Sequence, residues 1–314
     1  VLGIPPQALF GQLLLGVING SFYAMLSLGL SVIFGLLNII NFAHGALYMM
    51  GAFVAFFLLN PAETGQLLAL LSPALGSWWT LHVPALSYWW ALLVAPIVVG
   101  AVGIALERSM LKRLYALDHL YGLLLTFGLA LIIQGVFRHL FGSSGLPYAI
   151  PAQLVGGHNL GFMFLPTYRG WVIAASLTTC LGTWYVIERT KLGSYLRAAT
   201  ENPALVQAFG INVPRMITLT YGFGVALAGL AGVLAAPIYQ VNPLMGADLI
   251  IVVFAVVVIG GMGSIMGSIV TGFTLGLVEG LTKVFYPEAS NTVIFVIMAV
   301  VLLVRPAGLF GRAS

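Results

Sequence analysis

Apolar residues along this chain come in long runs, separated by short polar breaks. The runs cover residues 8–35, 45–59, 84–106, 120–137, 170–187, 216–238, 249–259, 265–281 and 292–304. A helix needs about 20 apolar residues to cross about 30 Å of hydrocarbon. The pattern therefore predicts an all-α, polytopic integral membrane protein with eight or nine transmembrane helices. Two runs are too short to span comfortably, which is how broken or re-entrant helices look in sequence. With no linker and no low-complexity stretch, residues 1–314 read as one membrane domain.

Composition sharpens this picture. Of 314 residues, 61% are hydrophobic and only 6% charged, and the mean hydropathy is +1.07. Ordinary soluble domains are about 25% charged, so a soluble enzyme, a disordered chain and a nucleic-acid-binding module are excluded. The net charge of +4 comes from 12 Lys and Arg against 8 Asp and Glu, and its distribution matters more than its size. Arg108, Lys112 and Arg113 share one break, Arg189, Lys191, Arg197 and Arg215 another, and Arg305 and Arg312 lie in the tail. Counting crossings from residue 106 puts all three segments on one side. The positive-inside rule makes that side, and the C-terminus, cytoplasmic. Residues 60–83 and 142–169 are then external loops, rich in Pro, Gly and aromatic residues. The first residues lack the basic n-region of a standard signal peptide, and the single cysteine, Cys180, reads as a small buried apolar residue.

Reaction chemistry is absent from the sequence. There is no P-loop, no His-Glu-x-x-His and no nucleophile elbow. His44, His82, His119, His139 and His158 are scattered, so no catalytic or metal-binding residue is assigned. Glu279 is the one acid well inside a run, and Lys283 one turn later pairs with it. Glycines 263, 267, 272, 276 and 280, with Gly16 and Gly20, form small-residue stripes that let helices approach closely, within the chain or against a partner chain.

The cytoplasmic segment 188–215 carries more information. Asn202 suits an N-cap, Pro203 the first helical position and Gly210 the residue past the helix end. A helix of about seven residues is predicted here, with Leu205, Val206 and Phe209 on an apolar face too large for the loop to bury. That face either folds back on the membrane surface or docks a cytosolic partner.

At this loop the chain resembles a known family. The stretch RAATENPALVQAFGINVPRMI (197–217) is similar to the cytoplasmic coupling loop of the branched-chain amino-acid permeases of ABC importers, the Liv H type. GLLNIINFAHGALYMMGAFVA (35–55), VVIGGMGSIMGSIVTG (257–272) and LVRPAGLFGR (303–312) resemble other segments of that family. The general importer loop places a glycine six residues beyond a Glu, whereas here Glu201 and Gly210 are nine apart.

The resemblance implies an ABC importer permease fold in a bacterial inner membrane. It implies pairing with a second, related permease, two cytosolic ATP-binding subunits and a periplasmic binding protein. ATP and magnesium would sit on those partner subunits, with no cofactor on this chain. The coupling contacts would come from Glu201, Asn202, Pro203, Leu205, Val206, Phe209 and Gly210. Branched-chain or other hydrophobic amino acids are the leading substrates, with urea, short amides and aromatic acids as alternatives. A stand-alone secondary carrier or channel is the reading from a different class.

Two breaks are candidates for the pathway. Asn38, Asn41 and His44 are the best polar candidates to line it, or else they cap the first break. Residues 249–259 make only about 16 Å of helix at about 1.5 Å per residue. The glycines that follow, Gly260, Gly261 and Gly263, are expected either to form a hinge or gate facing the protein interior or the partner permease, or to make a plain cytoplasmic turn.

Overall fold

A computed structural model describes residues 5–37, 40–115, 117–161 and 163–311. Its helices, in order, are α1 (Pro6–Leu37), α2 (Ala43–Leu59), α3 (Pro61–Ala69), α4 (Pro73–His82), α5 (Tyr88–Ser109), α6 (His119–Phe141), α7 (Thr167–Arg189), α8 (Lys191–Glu201), α9 (Pro203–Ala208), α10 (Val213–Tyr239), α11 (Ala247–Gly260), α12 (Ile265–Phe285) and α13 (Val293–Val304). A short antiparallel hairpin, β1 (Gly157–Asn159) with β2 (Phe164–Pro166), sits between α6 and α7.

Every long apolar run becomes a helix. Among the described residues six helices, α1, α5, α6, α7, α10 and α12, are long and apolar enough to cross a membrane. The pair α2 and α3, bent by 108°, forms a seventh if counted as one broken span. The two shorter apolar helices are α11 and α13. Segment 60–83, expected as a loop, instead folds into α3 and α4, each opened by a proline at its first helical positions. Proline fits there because the first turn leaves its N–H groups unpaired in any case. Both helices are too short to cross, so hydropathy runs alone do not reveal them.

The chain forms two compact units, and the chain alternates between them. One comprises residues 1–39, 150–220 and 249–314. In it α1 and α12 lie antiparallel along their length. A Cβ on Gly16 would fall 2.5 Å from the Gly276 carbonyl oxygen, one on Gly20 3.0 Å from Phe273 Cα and one on Gly272 2.6 Å from Ala24 Cα. Backbones this close exclude side chains, so these glycine stripes pack within the chain. Hydroxyls follow the same seam, with Ser31 paired to Ser268 and Ser27 Oγ donating to the Ser268 carbonyl at 3.3 Å. Ser176 Oγ of α7 donates to the Ser21 carbonyl at 2.9 Å. Tyr23, Val256, Ile259, Leu275 and Ile294 share one apolar core.

The other unit comprises residues 40–149 and 221–248. Here α2 packs on α5, α6 and the later part of α10. Phe53 and Phe57 of α2 meet Phe137 and Phe141 of α6, with ring centroids 4.8 Å apart for Phe53–Phe137 and 5.3 Å for Phe57–Phe141. Gly103 of α5 lies where a Cβ would come 2.8 Å from Val225 of α10. Beyond α10, Val241 pairs with Leu146 through two backbone hydrogen bonds of 2.8 and 3.1 Å.

Candidate functional site

The first polar break belongs to the unit containing α2. Asn38 lies outside the described residues; Asn41 and His44 are brought together at the start of α2, both with no exposure. Thr126 of α6 fastens the break, accepting from the Phe42 amide and donating to the Ile40 carbonyl, each at 3.2 Å. Asn41 Nδ2 donates to the Tyr221 hydroxyl of α10 at 2.9 Å. Thr126 is seven residues into α6, about 10 Å of helix, so α2 begins inside the apolar span and not at its edge. Glu107, which the sequence shows only as the charged end of a run, is 1% exposed. The Tyr115 hydroxyl donates to its Oε1 at 2.8 Å. Burial, and then the Glu107 carboxylate, push the Tyr115 hydroxyl far above its ordinary value, so it stays a donor.

Segment 188–215 belongs to the other unit and holds two helices where the sequence suggests one. The Asn202 side chain caps α9, accepting from the Leu205 amide at 2.9 Å. Pro203 opens the helix, and Gly210 follows it with φ +83°. Six helical residues lie between, close to the expected seven. Val206 is a correction: it does not share an exposed face with Leu205 and Phe209. It is buried with Leu196 and Ala199 of α8 and with Val213 and Met216, because α8 supplies the partner surface that a single short helix would lack. Leu205 remains exposed and Phe209 is 78% exposed. Glu201 is exposed at the end of α8. Glu188 and Arg197 pair at 3.2 Å, half in solvent, where such a pair contributes little.

The glycine break lies in that same unit. Gly260 ends α11; Gly261 and Gly263 have φ +100° and +83°, a backbone that disfavours any side chain. Ser264 then caps α12, accepting from the Gly267 amide at 3.1 Å. The C-terminal tail closes the break. Leu309 N donates to the Ile259 carbonyl at 2.8 Å and Phe310 N to the Gly260 carbonyl at 3.1 Å. Two carbonyls at the end of α11, which no later helical residue can reach, are thereby satisfied. A Cβ on Gly261 would come 2.5 Å from Gly311 N, and one on Gly35 3.2 Å from Gly263 Cα. The break thus packs against the chain's own tail and the end of α1. A cleft of about 500 Å³ is bounded by the break, the tail, the end of α1 and α8. It puts the loop and the break side by side, which sequence order does not disclose.

Glu279 is buried and fully engaged. It pairs with Lys283, accepts from the Tyr23 hydroxyl at 2.6 Å and from Asn19 Nδ2 at 3.3 Å. Among the described residues no group of three His, Cys, Asp or Glu could hold a metal ion. Cys180 is a buried thiol.

Residues 12–302 match the family described as the permease component of the branched-chain amino acid transport system. The chain is similar to the high-affinity branched-chain amino acid transport system permease protein LivH of Escherichia coli (strain K12), with 31% identity over 306 residues, 96% of this chain and 95% of that protein. It is 30% identical, over the same shares, to the high-affinity branched-chain amino acid transport system permease protein BraD of Pseudomonas aeruginosa. A more distant likeness, 26% over 227 residues, reaches the ribose import permease protein RbsC of Escherichia coli (strain K12), covering 67% of this chain and 66% of that protein. No solved structure matches the chain.

Proposed function

The chain belongs to the branched-chain amino acid transport permease family, and we propose that it is one of two membrane-spanning subunits of an ABC importer for branched-chain amino acids. The observation that carries this reading is the match to branched-chain amino acid permeases over nearly the whole of both chains. The likeness to the ribose permease covers only two thirds of the chain, so the amino-acid reading takes precedence.

In this account the basic segments face the cytoplasm, with the C-terminal tail among them. Two ATP-binding subunits bind ATP and magnesium; this permease contributes shape and motion. Leu205 and Phe209 are the side chains that an ATP-binding subunit covers, because α9 is anchored behind them by Val206 while they stand in solvent. Movement of α9 passes to α8, which it packs on, and reaches the glycine break through the cleft that α8 lines, with Gly260, Gly261 and Gly263 acting as the hinge. A second, related permease completes the pathway, and a periplasmic binding protein delivers the substrate at the opposite face.

Mild solubilisation of the tagged chain from its native membrane, followed by mass identification of what co-purifies, tests this assembly. Two ATP-binding subunits and a second permease are expected. A chain that purifies alone and still carries solute contradicts the importer reading.

A further inference from the structure

We propose that the cleft between α8 and the glycine break is a regulatory site, which holds the zwitterion of an imported apolar amino acid and slows further import. This rests on the reading of the chain as an amino-acid permease with its basic segments in the cytoplasm.

The corner between α7 and α8 builds the site. A Cβ on Gly193 would collide with the Ile187 carbonyl, so glycine lets α8 fold back closely on the end of α7. The fold-back joins Glu188 and Arg197, nine residues apart in sequence, as an ion pair of 3.2 Å. The same Nη1 of Arg197 donates to the Ile187 carbonyl at 3.3 Å. Among the described residues the guanidinium is engaged through Nη1 alone and the Glu188 carboxylate through Oε2 alone. The other guanidinium N–H groups and Glu188 Oε1 are open to a ligand. Both side chains are reachable from water, 42% and 44% exposed.

The two charges line the cleft of about 500 Å³ together with Val32, Leu196, Met262 and Phe310. Its whole lining belongs to one compact unit. Small-molecule sites are typically about 300–1,000 Å³, with apolar walls and a few polar groups that fix orientation. Charge decides what fits here. A lone anion meets Glu188, a lone cation meets Arg197, and a neutral solute answers neither. An α-amino acid carries both charges on one carbon. Its carboxylate takes the open N–H groups of the guanidinium fork, its ammonium donates to Glu188 Oε1, and an aliphatic side chain covers the apolar lining. A half-exposed ion pair contributes little to folding, so engaging a ligand costs the fold little.

Position gives the consequence. The cleft is lined by α8, on which α9 packs, and by the break at Met262, Gly263 and Ser264. A ligand held by Arg197 and Glu188 and packed on Met262 links α8 to the break and resists movement between them. Import then raises the concentration of the molecule that fills the cleft, which is product inhibition away from the transport pathway.

The test uses the complete transporter in proteoliposomes, with the ATP-binding subunits and ATP in the lumen and the binding protein outside. Initial uptake of labelled L-leucine is measured against unlabelled L-leucine loaded in the lumen. Lumenal leucine is expected to lower the initial rate severalfold, with half-inhibition in the millimolar range. Isocaproate, which lacks the ammonium, and isoamylamine, which lacks the carboxylate, are expected to leave the rate unchanged at the same concentration. Glu188→Gln and Arg197→Gln, each compared with its own uninhibited rate, should raise the half-inhibiting concentration about tenfold, as for the loss of one hydrogen bond to a charged group. Leucine bound at the transport pathway itself would inhibit both variants like wild type. Unchanged half-inhibition in either variant, equal inhibition by either analogue, or uptake that ignores lumenal leucine overturns the site. If a variant fails to assemble, the analogues decide on the intact protein. Absence of ATP-driven leucine uptake by the wild-type transporter overturns the functional reading itself, and this site with it.

Discussion

Replacing Phe209 by alanine separates docking from folding. Aromatic side chains bury about 150–250 Å² each, and Phe209 is 78% exposed in this chain. Covering it would remove about 150 Å² from water, which at about 25 cal/mol per Å² comes to about 4 kcal/mol. Alanine keeps part of that area, so truncation should weaken docking by about 3 kcal/mol, about a hundredfold in affinity. The isolated chain should hardly notice, because an exposed substitution shifts stability by no more than about 0.5 kcal/mol. Val206→Ala behaves in the opposite way. It opens a hole between α8 and α9 and should cost the fold about 1–2 kcal/mol. The assay is titration of the ATP-binding subunits onto the paired permeases in nanodiscs, with melting temperature measured on the same samples. Unchanged affinity and unchanged substrate-stimulated hydrolysis in Phe209→Ala would refute the docking argument. A fall in its melting temperature as large as that of Val206→Ala would refute the structural half.

Gly261→Val adds a β-branched side chain at φ +100° and 2.5 Å from Gly311 N; it should lower the melting temperature and abolish uptake, and a variant as stable as wild type would disprove the packing of the tail on the break. Glu279→Ala strands Lys283 and the Tyr23 hydroxyl, for an expected loss of about 2 kcal/mol, below the 3–5 of a fully buried pair because Lys283 is a third exposed. Since this carboxylate is held by a lysine and a tyrosine, collapsing the proton gradient should leave ATP-driven uptake intact, and a loss of uptake would reinstate proton coupling. Tyr115→Phe removes a hydrogen bond onto the buried Glu107 carboxylate and should cost about 1.5–3 kcal/mol, read as a lower melting temperature. Because the folded Tyr115 hydroxyl titrates above its unfolded value, its contribution is complete below about pH 10 and fades only above it.

Much of this architecture is written locally. Each apolar run becomes a helix because bilayer thickness dictates length. The cap at Asn202 and the turns at Gly210 and Gly261 follow from single-residue backbone preferences. What escapes such reading depends on distant partners. The burial of Val206 requires α8, whose amphipathic pattern is masked inside a loop rich in charge. Glu107 reads as the boundary of a run until the Tyr115 hydroxyl is found on it. The tail reaches the α11 carbonyls through backbone amides about fifty residues away, and backbone bonding leaves no residue signature. Segment 60–83 folds into helices too short for a hydropathy window.

The central claim is ATP-driven import through this chain. It is tested most directly by labelled leucine uptake into proteoliposomes holding this permease, its partner permease, the ATP-binding subunits and the binding protein. The account predicts uptake that requires ATP on the ATPase side and the binding protein on the other, and that vanishes when this chain is left out. Uptake driven by an ion gradient without ATP, or ATP-driven uptake that persists without this chain, would contradict it.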